Sequence, residues 1–251
     1  MMSGRNLGGP IALLGVIAST LATTSFPAFA EPRAVLELFT SQGCSSCPPA
    51  DKLVGELSKD PQFIALSLAI DYWDYLGWKD TLAIPGHGGR QRAYSRARGD
   101  RDVFTPQMIV NGSVQALGSD KAAVERAIVQ SHSNAAVLAL PMTMTFGDGK
   151  LTVNVPAGKI NGQRAEVWLC PITKAVPVEI NRGENKGRTV TYHNVVRQWI
   201  KLGDWNGAAA TWTVPLKDVK IGSVDHVAVV VQSGVASSPG PMYGAVMAAL
   251  P

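Results

Sequence analysis

The chain has 251 residues, 46% of them hydrophobic and 17% charged, with 25 Gly, 16 Pro and 3 Cys. That length and apolar content exclude bulk disorder and set an expectation of one large domain or two ordinary ones. Three cysteines are too few for a disulfide scaffold, so their placement matters more than their number. A formal net charge of +4 is a weak bias, and most basic residues are interleaved with acids. The one local excess, Arg90, Arg92, Arg96, Arg98 and Arg101, falls at helical spacing. It reads as a solvated helix face, and no nucleic-acid partner is expected.

Residues 1–30 have the layout of a secretory signal. Arg5 supplies the positive start, an apolar run follows from Ile11 to Ala22, and Ala28-Phe29-Ala30 puts small residues where a signal peptidase reads them. The run is shorter than the about 20 residues of a membrane helix. Cleavage after Ala30 is expected to leave a chain that starts at Glu31, with no stable membrane insertion. A periplasmic or secreted location would permit disulfide chemistry.

In chain order, 33–39 reads as a short strand, 40–49 as a small polar loop and 50–58 as a helix with Ala50, Leu53, Val54 and Leu57 on one face. The near-continuous apolar run 63–70 reads as a buried central strand parallel to the first. An aromatic-rich irregular stretch covers 71–89, and a helix is expected over 90–98. Runs 107–110 and 113–117 flank Asn111-Gly112, the strongest short hairpin signal. Ser119 is the expected cap of a helix over 120–130. From 135 onward, strand-like segments follow at 137–146, 150–155, 164–170, 174–180, 188–200, 208–214 and 225–232. They suggest an antiparallel sheet or sandwich. The predicted layout is an α/β domain over 31–133 followed by a β-rich, sandwich-like domain over 134–251.

The sharp signal is Gly43-Cys44-Ser45-Ser46-Cys47-Pro48-Pro49-Ala50-Asp51. Two cysteines three apart, between a strand and a helix, can close a small disulfide ring. The unpaired N–H groups and positive end of the helix favour a thiolate there. Cys44 is expected to be the exposed attacking thiolate and Cys47, one turn inside, the resolving thiol. Pro48 and Pro49 suit a helix opening, where a missing N–H costs nothing. A structural disulfide and half of a copper or zinc site remain competing readings of CxxC, although no second CxxC supplies the other ligands. Cys170, in the run EVWLCPI, reads as a buried core thiol. Thr105-Pro106, just before a strand, reads either as an ordinary trans proline in a turn or as a cis proline that would hold a backbone edge free opposite the dithiol.

The order strand, GCxxC, helix, strand, helix, Thr-Pro, hairpin, helix resembles the thioredoxin superfamily. More closely, the chain resembles an exported bacterial family catalogued as domain of unknown function 1223. The matching stretches are ELFTSQGCSSCPPAD at 37–51, DYWDYLGWKD at 71–80, RQRAY at 90–94, FTPQMIVNG at 104–112, GSD at 118–120 and RGENKGRTVTYHNVVR at 182–197. The resemblance implies a thioredoxin-like domain followed by a β-rich one. Thioredoxins proper carry Trp-Cys-Gly-Pro-Cys where this chain has Gly-Cys-Ser-Ser-Cys.

Accessory groups are expected around the dithiol. Asp71 would accept the Cys47 proton or cap a turn, and Trp73 and Trp78 would form a rim for a peptide or shield the core. His193 lies in a polar stretch that either crosses back to the dithiol or locks the two domains together. His87, between glycines, is the loop histidine best placed to bind something. The sequence therefore suggests an exported thiol–disulfide oxidoreductase or redox-responsive protein, with Cys44 and Cys47 reactive and Thr105 and Pro106 shaping the substrate groove. Its partner would be a protein or a small thiol or disulfide. It needs no bound cofactor or metal, because the electrons reside in the dithiol. A non-catalytic binding module with a structural disulfide, or a copper- or zinc-handling protein, are the alternatives. No feature of the sequence sets an oligomeric state.

Overall fold

A computed structural model of the chain describes residues 1–2, 31–160 and 164–251; residues 3–30 of the expected signal segment lie outside the described residues. The first half runs β1 (Ala34–Thr40), α1 (Pro48–Leu57), β2 (Phe63–Ala69), α2 (Pro85–Arg98), β3 (Gln107–Val110), β4 (Val114–Leu117) and α3 (Lys121–Ser131). β1 and β2 pair in parallel, while β3 joins the other side of β1 antiparallel and carries β4. Alternation sets the two faces of this sheet. Ala34, Leu36 and Leu38 of β1 pack with α1 and α3, whereas Val35 and Phe39 point to the opposite core with Tyr94 of α2.

The expected hairpin forms at Asn111-Gly112, where both residues take left-handed φ values of 49° and 73°. Two boundaries differ from expectation. Helix α2 starts at Pro85 rather than near residue 90, because proline suits the first helical position. Asp120, not Ser119, caps α3, its carboxylate accepting from the Ala123 N–H at 3.0 Å.

The second half is mostly antiparallel: β5 (Thr143–Gly147), β6 (Lys150–Val155), β7 (Ala165–Ile180), β8 (Arg188–Val196), β9 (Ile200–Trp205), β10 (Ala210–Pro215), a helical turn α4 (Leu216–Val219), β11 (His226–Val235) and β12 (Ser238–Ala249). Two expected strands, 164–170 and 174–180, are one sixteen-residue strand, β7. The expected run 188–200 instead divides into β8 and β9, with Trp199 turned out of the ladder between them. β12 has no counterpart among the expected strands; Pro239, Gly240 and Pro241 break the β-prone pattern at its start. It lies at the end of the sheet, where prolines cost least.

The character of the chain changes between α3 and β5, yet the halves share a sheet of order β12-β11-β7-β8-β2-β1-β3-β4. The junction is β8 beside β2, parallel at Ser67 and Val195. Ser67 Oγ donates to the His193 carbonyl at 2.8 Å and Asn194 Nδ2 to the Ala65 carbonyl at 2.8 Å. β10, β6 and β5 form a second, three-stranded sheet. Met144, Leu151, Val153 and Val155 from it meet Val167, Leu169, Val227, Val229 and Val231 of the long sheet in one core.

A polar knot ties the halves together. Arg90 of α2 bonds Glu37 of β1 through Nε at 2.7 Å and reaches the Tyr94 hydroxyl at 2.7 Å and Gln232 Oε1 of β11 at 2.9 Å. Its guanidinium lies 3.8 Å from the Trp199 ring centroid. Arg90 therefore departs from the expected solvated arginine face: its side chain is 9% exposed, because Glu37 and two aromatic rings compensate its lost hydration.

Candidate functional site

Seven residues connect β1 to α1, and they fold back on themselves. The Cys44 N–H donates to the Ser41 carbonyl at 3.1 Å and the Cys47 N–H to the Cys44 carbonyl at 3.2 Å. Cys44 and Cys47 form a disulfide with Cα atoms 5.4 Å apart. Cys47 is the N-cap of α1, and Pro48 and Pro49 occupy its opening turn as expected.

The surroundings correct one expectation. Ser45 and Ser46 are exposed, but Cys44 is only 2% exposed and Cys47 fully buried. Two distant segments form the cover. Trp73 lies against Gly43, where an added Cβ would sit 3.1 Å from Trp73 Cβ. Trp78 Nε1 donates to Gln42 Oε1 at 2.8 Å. From the β7–β8 connection, Asn185 Nδ2 donates to the carbonyls of Gln42 and Cys44 at 2.9 and 2.8 Å. A cover made by residues some thirty and 140 positions away leaves no local trace in the motif itself.

Thr105 and Pro106 lie beside this cover, joined by a cis peptide bond. Trp73 Nε1 donates to Thr105 Oγ1 at 2.8 Å, so one indole touches the dithiol loop and the proline loop together. The Pro106 carbonyl accepts from Gly118 N–H, whereas the Thr105 backbone has no hydrogen-bond partner among the described residues.

Neither Asp71 nor His193 has a described contact with the sulfurs. Asp71 sits at the end of β2, near His87, and no described contact joins it to either cysteine. His193 lies against α1, where a Cβ on Gly55 would come within 2.7 Å of its ring. Burial, and then Lys59 and Lys174, lower its pKa. His87 is no loop residue either. It is buried in the first turn of α2 with Nδ1 2.9 Å from the Ala69 carbonyl, and burial lowers its pKa to about 4. Gly55→Ala is expected to cost about 1–3 kcal/mol, measurable as a lower Tm, by forcing His193 aside. Helix propensity alone would give the opposite sign, since alanine exceeds glycine by about 1 kcal/mol.

The buried carboxyl one helix turn beyond Cys47 is Asp51. It follows Cys47 by four residues, which puts both on one helix face, and its N–H donates to the Cys47 carbonyl at 3.1 Å. Oδ1 accepts from Thr40 Oγ1 at 2.7 Å, while Oδ2 is buried without a partner. Burial pushes its pKa up to about 8, opposed by the Thr40 hydrogen bond and reinforced by Asp80. Asp80 is raised too, chiefly by burial, although it accepts from the Gln42 N–H at 2.7 Å. Sequence reasoning misses Asp51; the signal that points to it is a charged residue beside the inward stripe of Ala50 and Val54, a position a surface acid would avoid.

Chemically, the site holds a reducible bond at a helix opening, a buried acid of raised pKa one turn further and an unpaired backbone edge nearby. This is a redox-capable CxxC arrangement. Among the described residues, no group of three His, Cys, Asp or Glu side chains could hold a metal ion. Cys170 is buried on β7, and burial raises its thiol pKa. No helix among the described residues is long and apolar enough to cross a membrane.

The crystal structure of protein AGR_C_4864 from Agrobacterium tumefaciens is similar, with a TM-score of 0.77 and 30% identity over 87% of this chain and 94% of that one. HBP35 of Porphyromonas gingivalis shares the fold, with a TM-score of 0.57 and 14% identity over 88% of this chain and 76% of that one. No curated protein matches the chain. The family of proteins of unknown function DUF1223 matches residues 35–232, a span containing the dithiol, the Thr105–Pro106 loop and Asn185, and the chain belongs to that family, with a thioredoxin-like fold.

Proposed function

We propose that this protein is an exported thiol–disulfide oxidoreductase or redox-responsive protein, acting in the periplasm or outside the cell on a protein or small disulfide. The observation that carries this reading is the Cys44–Cys47 disulfide at the opening of α1 with a buried acid, Asp51, one turn along. In the reduced protein, the Cys44 thiolate attacks one sulfur of a substrate disulfide. That step forms a mixed disulfide and releases the first substrate thiolate. Cys47 then passes its proton to the Asp51 carboxylate and attacks Cys44 Sγ. The second substrate thiolate leaves, and the Cys44–Cys47 bond reforms. The substrate gains two electrons and the protein dithiol loses two. In the opposite direction, the neutral Asp51 acid protonates the departing Cys47 sulfur. A pKa of about 8 suits both directions, because it lies close to that of a thiol. Thr105, with its unpaired backbone, offers the edge along which an extended substrate pairs.

The near-complete burial of Cys44 favours a second reading, a structural disulfide in a non-catalytic binding module. The two separate cleanly. A Cys47→Ala variant of the full chain should accumulate mixed disulfides through Cys44 when given oxidised peptide substrates. Absence of such adducts, together with a reduction potential below about −300 mV for the wild-type pair, would establish the structural bond instead.

A further inference from the structure

We propose that Trp73 and Tyr75 form a docking ledge for an extended polypeptide that carries an aromatic or large aliphatic side chain close to the cysteine exchanging with Cys44. The inference rests on the dithiol reading above and names the class of substrate.

Tyr75 is the most exposed large aromatic side chain of the described residues, at 76%. A ring that leaves water only by binding something is a candidate anchor, and tyrosine and tryptophan dominate the energetics of polypeptide interfaces. The ledge is also held in advance of any ligand. The Tyr75 and Trp73 rings stack at 6.1 Å and 20°, and Tyr72 supports Trp73 from 6.2 Å. Residues 74–76 form a single 3-10 turn closed by Gly77, whose φ of 90° suits glycine. A preformed aromatic surface loses little entropy on binding.

Position supplies the occupant. Trp73 spans the gap between Gly43, one residue before Cys44, and Thr105, one before Pro106. A segment pairing with the free Thr105 backbone is necessarily extended, so its side chains alternate between the two sides of the strand. The side chain beside the exchanging cysteine would then lie over the Trp73–Tyr75 stack, whose Trp73 flanks both loops. The two rings are apolar, and Asp74 between them is engaged by the Asp80 N–H, so the ledge matches an apolar or aromatic substrate residue. A small thiol compound has no such group to place there.

The test uses the oxidised full-length protein and two five-residue peptides whose cysteine is replaced by serine, so that binding is read without redox chemistry. One peptide has phenylalanine next to that serine and the other has glycine. Binding is followed by tryptophan fluorescence and by chemical-shift changes. The wild type should bind the phenylalanine peptide about three- to tenfold more tightly, the size of one aromatic stack. Tyr75→Ala should erase that preference and Tyr75→Phe should keep it. Loss of folding does not confuse the result, because Tyr75 is a surface residue on a turn. Equal binding of both peptides by the wild type, no binding of either, or a preference that survives Tyr75→Ala would each overturn the ledge. Failure of the redox reading looks different: Cys47→Ala would trap nothing, while the phenylalanine preference could persist.

Discussion

Replacing Arg90 with methionine is expected to lower the stability of the whole protein by about 3–5 kcal/mol, the usual cost of removing one partner from a buried ion pair. Glu37 is completely buried and would be left charged without its 2.7 Å partner. The Tyr94 hydroxyl, Gln232 and the face of Trp199 would lose contacts at the same time. These groups come from β1, α2, β11 and the β8–β9 connection, so the loss falls on the joint between the two halves. Urea unfolding should show the lower midpoint. The double variant Glu37→Gln with Arg90→Met should recover much of the loss, because the stranded charge is gone. A single variant within 1 kcal/mol of the wild type would mean that the knot contributes little.

Asp51→Asn is expected to change both the pH dependence of stability and the rate of resolution. In the unfolded chain this carboxyl has an ordinary pKa of 3.8, whereas in the folded protein it rises to about 8. Between those values the folded state holds a proton that the unfolded state has lost. Stability from this group is therefore complete below pH 3.8 and declines as pH climbs toward 8, by up to about 1.4 kcal/mol per unit. Asparagine keeps the acceptor for Thr40 but does not ionise. The variant should thus gain on the wild type across the window, by up to about 5 kcal/mol at pH 8. The resolving step should move the other way. Without the proton acceptor, the mixed disulfide should persist about 100-fold longer, and the ionisation near pH 8 should vanish from the rate profile. An unchanged pH–rate profile would leave Asp51 with a structural role alone.

The dithiol, its helix and the hairpin could be read locally. CxxC needs only three residues of separation, Pro48 and Pro49 declare a helix opening, and Asn111-Gly112 declares a turn that demands positive φ twice. Each signal lies within one element, where backbone sterics decide the outcome. The proton acceptor was harder to find. Asp71 stands just past a strand end, where binding groups gather in α/β sheets, but the charge it acts on is that of His87. Asp51 owes its raised pKa to burial in the surrounding core and then to Asp80, which outweigh the Thr40 hydrogen bond, and neither Asp80 nor Thr40 is a helix neighbour.

The amino-acid order alone was enough to specify the CxxC motif, the parallel β1–α1–β2 unit and the strand-rich character beyond residue 135, because local sterics and hydrophobic alternation act within a few residues. Long-range packing settled the rest. It laid β8 against β2, drew Arg90 into the interior and brought Asn185 over Cys44. Those outcomes depend on which distant groups can satisfy one another's hydrogen bonds and charges once water is excluded, and no stretch of chain carries that information by itself.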